Sequence, residues 1–492
     1  MITRRPFGFV VLVTALVASA LAFPASAQHK RAGKSAAAHA GPCRASMSDL
    51  QGFKEALLEH DLARQGFRTK FKTGYYATPS ALNQDLAKQT PEELVARTGK
   101  ALAAAADAQA GMLVYAVTRR PVGGDLLCTW LLSANGLLAA ETSPAWPAQS
   151  VAFLARLSLR VESRTAARQP TLRLGPVRAP AKAETVHAAQ GPSMQLLAAL
   201  LLPGPIKQKL EEARFSRLLI LPAADIGTVP WPALPLGDGQ LIDQSAVVVL
   251  ADIDWIMKAQ EHVDRKESTA LVVGDPDLSG DPILEFSPIP ASRNEALAVA
   301  SKWGATAMPL IGERADRTAV MAALSGRTDQ LGLVYFATHG ISDDGNPMDG
   351  SFLALKGGHL YARDIKKLVL LGRPMVVMSA CQTGLGKTFD AGVFGLARAW
   401  WQAGARHVVM SLWNVDDAAT NDLMTDFVAQ VAADRSAQDG SRLTLAHEEA
   451  LRQAMLAARQ RNADPALWAS FALFGMPTPT AAEGPGRRSV RP

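Results

Sequence analysis

The sequence lacks the short motifs that mark several common enzyme classes. It contains no G-x-S-x-G, H-E-x-x-H or C-x-x-C, which removes the usual signatures of α/β-hydrolases, zincins and zinc clusters. The letters G-L-G-K-T at 384–388 suggest a phosphate-binding loop, but that motif requires glycine at position 381, where the chain has Cys381. His359, His407 and His447 have no metal-ligand partners at helical or loop spacing. We therefore predict no metal and no cofactor.

The chain also lacks the features of a nucleic-acid-binding protein. Its formal net charge is +6, yet the positive charges are scattered and form no long basic run with interleaved aromatic residues. We therefore predict no nucleic-acid partner. The chain has 492 residues and a hydrophobic content of 48%, which is typical of a globular protein with several domain-sized units and a large core.

Only one apolar stretch approaches the length of a membrane span, and it has the pattern of a secretory signal peptide. Arg4 and Arg5 precede the apolar run at 7–23, and A-S-A at 25–27 forms a small-residue cleavage site before Gln28. The alternative is an uncleaved membrane anchor. Because the cleavage site favours removal, we predict an exported protein, periplasmic or secreted, with no stable membrane insertion after cleavage.

The three cysteines of the chain are an odd number for a protein that meets an oxidising compartment. We predict that Cys43 and Cys128 form a disulfide, which leaves Cys381 as a free and reactive thiol. The alternative is three free thiols.

Two apolar runs end in residues that are useful for acyl transfer. Residues 374–384 read P-M-V-V-M-S-A-C-Q-T-G and contain Cys381, and residues 331–340 read L-G-L-V-Y-F-A-T-H-G and end in His339 and Gly340. A thiol needs an adjacent base to become a nucleophile, and parallel strands bring their carboxyl ends to one edge of a sheet. We therefore predict His339 as the base, with the backbone N–H groups of Gly340 and Cys381 as oxyanion donors.

The wider motifs resemble those of the CHAT domain family, which belongs with the caspase-like and separase-like cysteine peptidases. They are T-H-G, S-A-C-Q-T-G, A-G-V-F-G-L-A-R-A-W-W-Q-A-G-A-R-H-V-V-M-S-L-W-N-V-D-D-A-A-T and W-A-S-F-A-L-F-G. The resemblance implies an α/β caspase-like fold with a parallel-rich sheet flanked by helices, and it assigns the His/Cys dyad to His339 and Cys381. Relatives that cut after basic residues have an acid two positions before the nucleophile, whereas this chain has Ser379, so no specificity for Arg or Lys is predicted.

The resemblance is strongest over 270–478 and weaker over 111–262. Two β-rich runs, at 111–118 and 126–132, predict a hairpin at the start of the weaker region. We divide the chain into a signal peptide (1–27), a disordered leader (28–45), a helical segment (46–110), an N-terminal part of the CHAT region that is a smaller α/β region (111–262), a caspase-like catalytic domain (263–480) and a disordered tail (481–492).

Four further residues are candidates for a substrate pocket. Arg293 and Asp349 are polar residues in the predicted catalytic domain, and their alternatives are an ordinary surface arginine and a solvated loop carboxylate. Trp413 follows a predicted strand whose end faces the same edge as Cys381. Asp416 precedes a predicted helix, where a capping role is the alternative.

Glu295 is predicted as a helix cap, because S-R-N-E at 292–295 has the spacing of a capping box. With these assignments, the sequence predicts an exported cysteine endopeptidase that acts on a protein or peptide substrate. The alternative is a non-catalytic caspase-like scaffold or protein-interaction module.

Overall fold

Apolar runs throughout the chain become the strands of one large sheet. The structure is a computed structural model. The residues that it describes are 50–69, 81–106, 109–118, 125–143, 151–159, 171–172, 193–251, 253, 268–282, 284–304, 306–326, 328–343, 346–380, 388–389, 392–393, 395–413, 417–436 and 445–478.

Long and short strands alternate with helices along the described residues. The strands are β1 Ala110–Thr118, β2 Leu126–Ser133, β3 Gly136–Ser143, β4 Thr171–Leu172, β5 Arg217–Leu221, β6 Pro235–Leu236, β7 Gly239–Gln240, β8 Ala246–Leu250, β9 Thr269–Gly274, β10 Leu284–Glu285, β11 Ala307–Ile311, β12 Leu331–Thr338, β13 Gly340–Ile341, β14 Phe352–Leu353, β15 Leu360–Tyr361, β16 Met375–Ala380, β17 Thr388–Phe389, β18 Gly392–Val393, β19 His407–Ser411 and β20 Phe471–Gly475.

The α-helices flank this sheet. They are α1 Leu50–Thr69, α2 Ala81–Lys88, α3 Pro91–Ala106, α4 Val151–Ser158, α5 Met194–Leu201, α6 Gly204–Ala213, α7 Leu241–Gln244, α8 Ala291–Trp303, α9 Arg317–Ser325, α10 Ala362–Ile365, α11 Leu396–Ala403, α12 Asp417–Ser436, α13 His447–Arg461 and α14 Pro465–Trp468.

The main sheet has eleven strands in the order β11, β9, β12, β16, β19, β20, β8, β5, β1, β2, β3. Its neighbours are parallel from β11 to β19 and again from β20 to β1, and they are antiparallel at β19 with β20 and along β1, β2 and β3. The pairing of β20 with β8 joins strands from 111–262 and 263–480 in one sheet. The predicted mixed α/β fold with a parallel-rich sheet is therefore confirmed, as is the hairpin of β1 and β2.

The central strands are apolar along their whole length because both of their faces are covered. Every residue of β12 and β16 is buried, as expected for parallel strands between helical layers. Helix α8 packs against β9, β11 and β12, and its Ala296, Val299 and Trp303 side chains are buried. This burial fixes the register of the strands that end at the candidate site.

The described N-terminal helices pack against the strands at the other edge of the same sheet. Helices α1 and α3 contact β1, and α3 also contacts β2 and β3. Among the residues that the structure describes, no helix combines the length and the apolar character needed to cross a membrane.

Cys128 lies in β2, where it is fully buried and takes part in a disulfide. Cys43 and Cys381 both lie outside the described residues, so Cys43 as the partner stays a prediction. We expect thiol titration of the denatured, unreduced mature protein to find one reactive thiol, and peptide mapping to place that thiol at Cys381. Three reactive thiols, or a cross-linked peptide that contains Cys381, would show the assignment to be wrong.

Candidate active site

The two strands predicted to carry the dyad are adjacent and parallel in the sheet. β12 pairs with β16 in a register that aligns Thr338 with Ala380. His339 follows Thr338 directly, and Ala380 is the residue before Cys381 in the sequence. Cys381 itself lies outside the described residues, so the position of its thiol stays a prediction.

His339 is buried and held by a backbone group from another part of the chain. Its side chain Nε2 lies 2.7 Å from the carbonyl oxygen of Ser287, and the residue is 4% exposed. A carbonyl oxygen only accepts hydrogen bonds, so Nε2 carries the proton and donates it. In the neutral ring, Nδ1 then carries the lone pair and is the nitrogen able to take a proton.

A small antiparallel sheet fixes the backbone on both sides of His339. This sheet consists of β13, β14 and β15, and the pairing of β13 with β14 aligns Gly340 with Leu353. The N–H of Ala354 donates to the carbonyl oxygen of His339 at 2.8 Å, and the Thr338 hydroxyl donates to the carbonyl oxygen of Ala354 at 2.7 Å. Gly340, the predicted oxyanion donor, is therefore held in an ordered strand directly after His339.

The described pocket candidates are each bonded to a neighbour other than His339. Arg293 is half exposed, and its Nε lies 2.8 Å from the Asp275 carboxylate. Asp349 is also about half exposed, and its carboxylate lies 3.5 Å from Arg363. Trp413 is 1% exposed, and its indole N–H donates to a backbone carbonyl at 2.9 Å. Asp416 lies outside the described residues.

Glu295 does not cap a helix, so the interpretation of the S-R-N-E sequence was wrong. Helix α8 begins at Ala291, two residues earlier than that pattern requires, and Glu295 faces the sheet. Its buried carboxylate accepts a hydrogen bond from the Tyr335 phenol at 2.5 Å. Burial raises the pKa of Tyr335 well above its ordinary value, and the Glu295 charge raises it further. Tyr335 lies on β12, four residues before His339.

A cavity of about 690 Å³ is lined by residues 277–282, which follow β9, and by residues 355–359, and sequence reasoning did not find it. His359 lines this cavity and is 7% exposed. The Phe286 ring contacts both histidines, with its centroid 5.2 Å from that of His339 and 5.7 Å from that of His359. The segment that supplies Phe286 and Ser287 therefore connects the cavity with the candidate base.

The described residues contain no group of three His, Cys, Asp or Glu side chains that could hold a metal ion. What the described residues do bring together is a buried imidazole of defined tautomer, at the end of the strand beside the one that leads to Cys381. Such an arrangement is able to transfer protons.

Comparisons with known proteins cover different parts of the chain. Tetratricopeptide repeat protein 28 of Homo sapiens is 28% identical over 247 residues, and the match covers 42% of this chain but 9% of that protein. The Mus musculus protein of the same name is 26% identical over 247 residues, with the same coverage of 42% and 9%. The chain thus spans about a tenth of the length of the curated relatives it matches.

Among solved structures, the Saccharomyces cerevisiae separase–securin complex is similar with a TM-score of 0.46 and 11% identity. The similarity covers 87% of this chain and 34% of that one.

The family model of the CHAT domain matches residues 191–476. This range contains β12, β16, His339 and the aligned pair Thr338 and Ala380. It also spans more than half of the chain. The protein therefore belongs to the CHAT domain family.

Proposed function

We propose that this chain is an exported cysteine endopeptidase that hydrolyses peptide bonds in a protein or peptide substrate. Cys381 is the nucleophile, and His339 is the general base and acid. The observation that carries this proposal is the hydrogen bond from His339 Nε2 to the Ser287 carbonyl oxygen, at the end of the strand aligned with β16. It fixes the tautomer that leaves Nδ1 able to take the thiol proton.

In this mechanism His339 Nδ1 takes the proton from the Cys381 thiol, and the thiolate attacks the scissile carbonyl carbon. The N–H groups of Gly340 and Cys381 donate hydrogen bonds to the resulting oxyanion. His339 then gives its proton to the leaving amine, so that the C–N bond breaks and a thioester remains. Water hydrolyses the thioester with His339 again acting as base, which restores the thiol.

The candidate pocket residues enter this proposal to different degrees. Arg293 and Asp349 expose about half of their side chains and can meet a substrate at little cost. Trp413 is buried and hydrogen-bonded inside the protein, which favours packing over substrate contact. We propose Asp416, at the position before α12, as a substrate contact as well.

Incubation of the purified mature protein with a diverse peptide library, read by mass spectrometry, tests the proposal. We expect cleaved peptides with the native protein and none with Cys381→Ala. Absence of cleavage by the native protein would contradict the peptidase proposal and favour a scaffold or interaction module with the same fold.

Export is a separate part of the proposal and has its own test. The signal-like pattern before Gln28 predicts a mature chain that begins at Gln28 or within a few residues of it. N-terminal sequencing of the native protein measures this directly. Recovery of a chain that begins with Met1 from a soluble cytoplasmic fraction would refute export.

A further inference from the structure

One short segment connects His359 with the candidate base. The carboxylate of Asp281 accepts a hydrogen bond from the Leu284 N–H at 2.7 Å and lies 3.2 Å from Nε2 of His359. Two residues after Leu284, the Phe286 ring contacts both histidines, and the Ser287 carbonyl accepts from His339 Nε2. The path of this segment therefore decides where the acceptor for His339 lies.

His359 is enclosed by aromatic rings. Its ring stacks on the Phe352 ring, with 4.2 Å between centroids and 7° between planes. Its contact with the Phe286 ring is edge-to-face. Phe352 lies in β14, in the small sheet that also holds the backbone of His339. A movement of His359 would therefore reach His339 through Phe286 and through this sheet.

The tautomer of His359 follows from its surroundings. Burial lowers the pKa of His359 more than the Asp281 carboxylate raises it, so the ring is neutral at neutral pH. A neutral ring beside a carboxylate donates from Nε2, which leaves Nδ1 as an acceptor, and Nδ1 is buried with no hydrogen-bond partner among the described residues. A phenylalanine ring would stack on Phe352 equally well and would not bury a nitrogen such as Nδ1. The hydrogen bond to Asp281 is therefore what the histidine adds.

We infer that Asp281 and His359 form a positioning pair, which holds Phe286 and Ser287 against His339 and thereby maintains the Nε2–H tautomer of His339. The role of the pair in turnover rests on the proposed peptidase function. Its effect on the tautomer of His339 does not.

Two substitutions of one residue separate the hydrogen bond from the packing. His359→Phe keeps the stacked ring and removes the donor to Asp281, and we expect a fall in kcat of about 10- to 100-fold with KM changed less than about 2-fold. His359→Gln places an amide N–H near the position of Nε2, and we expect it to recover part of the kcat. Lys356 lines the same cavity, and we expect the matched control Lys356→Gln to retain the native kcat.

Nitrogen NMR of protein with ¹⁵N-labelled histidine gives a readout that needs no turnover. The signals of His339 are those that disappear in His339→Gln. We expect the native protein to show the Nε2–H tautomer of His339 at neutral pH, and His359→Phe to show a mixture of tautomers or faster exchange of that proton.

The two readouts distinguish the possible failures. A native protein without peptidase activity, in which His359→Phe still alters the His339 signals, would overturn the proposed function and support the positioning pair. An active native protein in which His359→Phe changes neither kcat nor the His339 signals would overturn the positioning pair.

Discussion

Replacement of Cys381 by alanine is expected to abolish peptide cleavage, and His339→Ala is expected to do the same. Each change should lower kcat by about 10³-fold or more, because the thiolate forms only when the imidazole takes its proton. The two residues act as one unit, so the double variant should be little worse than either single variant. Cleavage rates of a library-derived peptide, measured beside the unfolding midpoint of each variant, check this result.

His339→Gln is the sharper control for the histidine. The glutamine amide N–H can replace the donor to the Ser287 carbonyl, which lies 2.7 Å from Nε2 in the native protein, but an amide cannot take the thiol proton. We expect this variant to unfold at nearly the native midpoint and to be inactive. Native cleavage rates with either Cys381→Ala or His339→Gln would be incompatible with the assigned dyad.

The sequence was sufficient to predict the strands that end at the candidate site. The buried runs before His339 and Cys381 are apolar throughout, and this pattern indicates parallel strands with both faces covered. The rule that ligands bind at the carboxyl ends of such strands then predicted their shared edge. The alignment of Thr338 with Ala380 confirms that β12 and β16 are neighbours.

The contacts that hold His339 were beyond sequence reasoning, because they depend on the paths of loops. The Ser287 carbonyl is 52 residues from His339 in the chain, and a backbone acceptor leaves no mark in the sequence. His359 has no spacing that connects it with Asp281. Glu295 has the spacing of a helix cap, yet the Tyr335 phenol and burial against the sheet decided its role. Tertiary contacts overrode the local pattern there.

The second large expected effect concerns stability, at a buried ion pair far from the dyad in sequence. The Arg217 Nε lies 3.0 Å from the Glu448 carboxylate, and these side chains are 8% and 0% exposed. Thr478 donates to the same carboxylate from its N–H at 3.1 Å and from its hydroxyl at 2.6 Å. The cluster connects β5, α13 and the chain after β20.

Glu448→Ala is expected to lower the free energy of unfolding by about 3–5 kcal/mol, because it leaves the Arg217 charge buried without its carboxylate. The Thr478 hydroxyl and N–H lose their acceptor in the same change. Urea unfolding followed by circular dichroism measures the effect as a lower midpoint. The double variant Arg217→Met with Glu448→Met removes both charges and should recover part of the loss, since apolar replacements of buried pairs are often tolerated.

Asp426→Ala provides the matched control for Glu448→Ala, because it breaks an ion pair of similar length on the surface. Asp426 lies 2.9 Å from Arg461, and these side chains are 42% and 45% exposed. Water screens such a pair, so we expect a loss of at most about 1 kcal/mol. If both alanine variants unfold at the same urea concentration, the buried ion pair of Glu448 contributes no more to the free energy of unfolding than the exposed ion pair of Asp426. In that case, the cluster of Arg217, Glu448 and Thr478 does not hold the chain after β20 against β5 and α13.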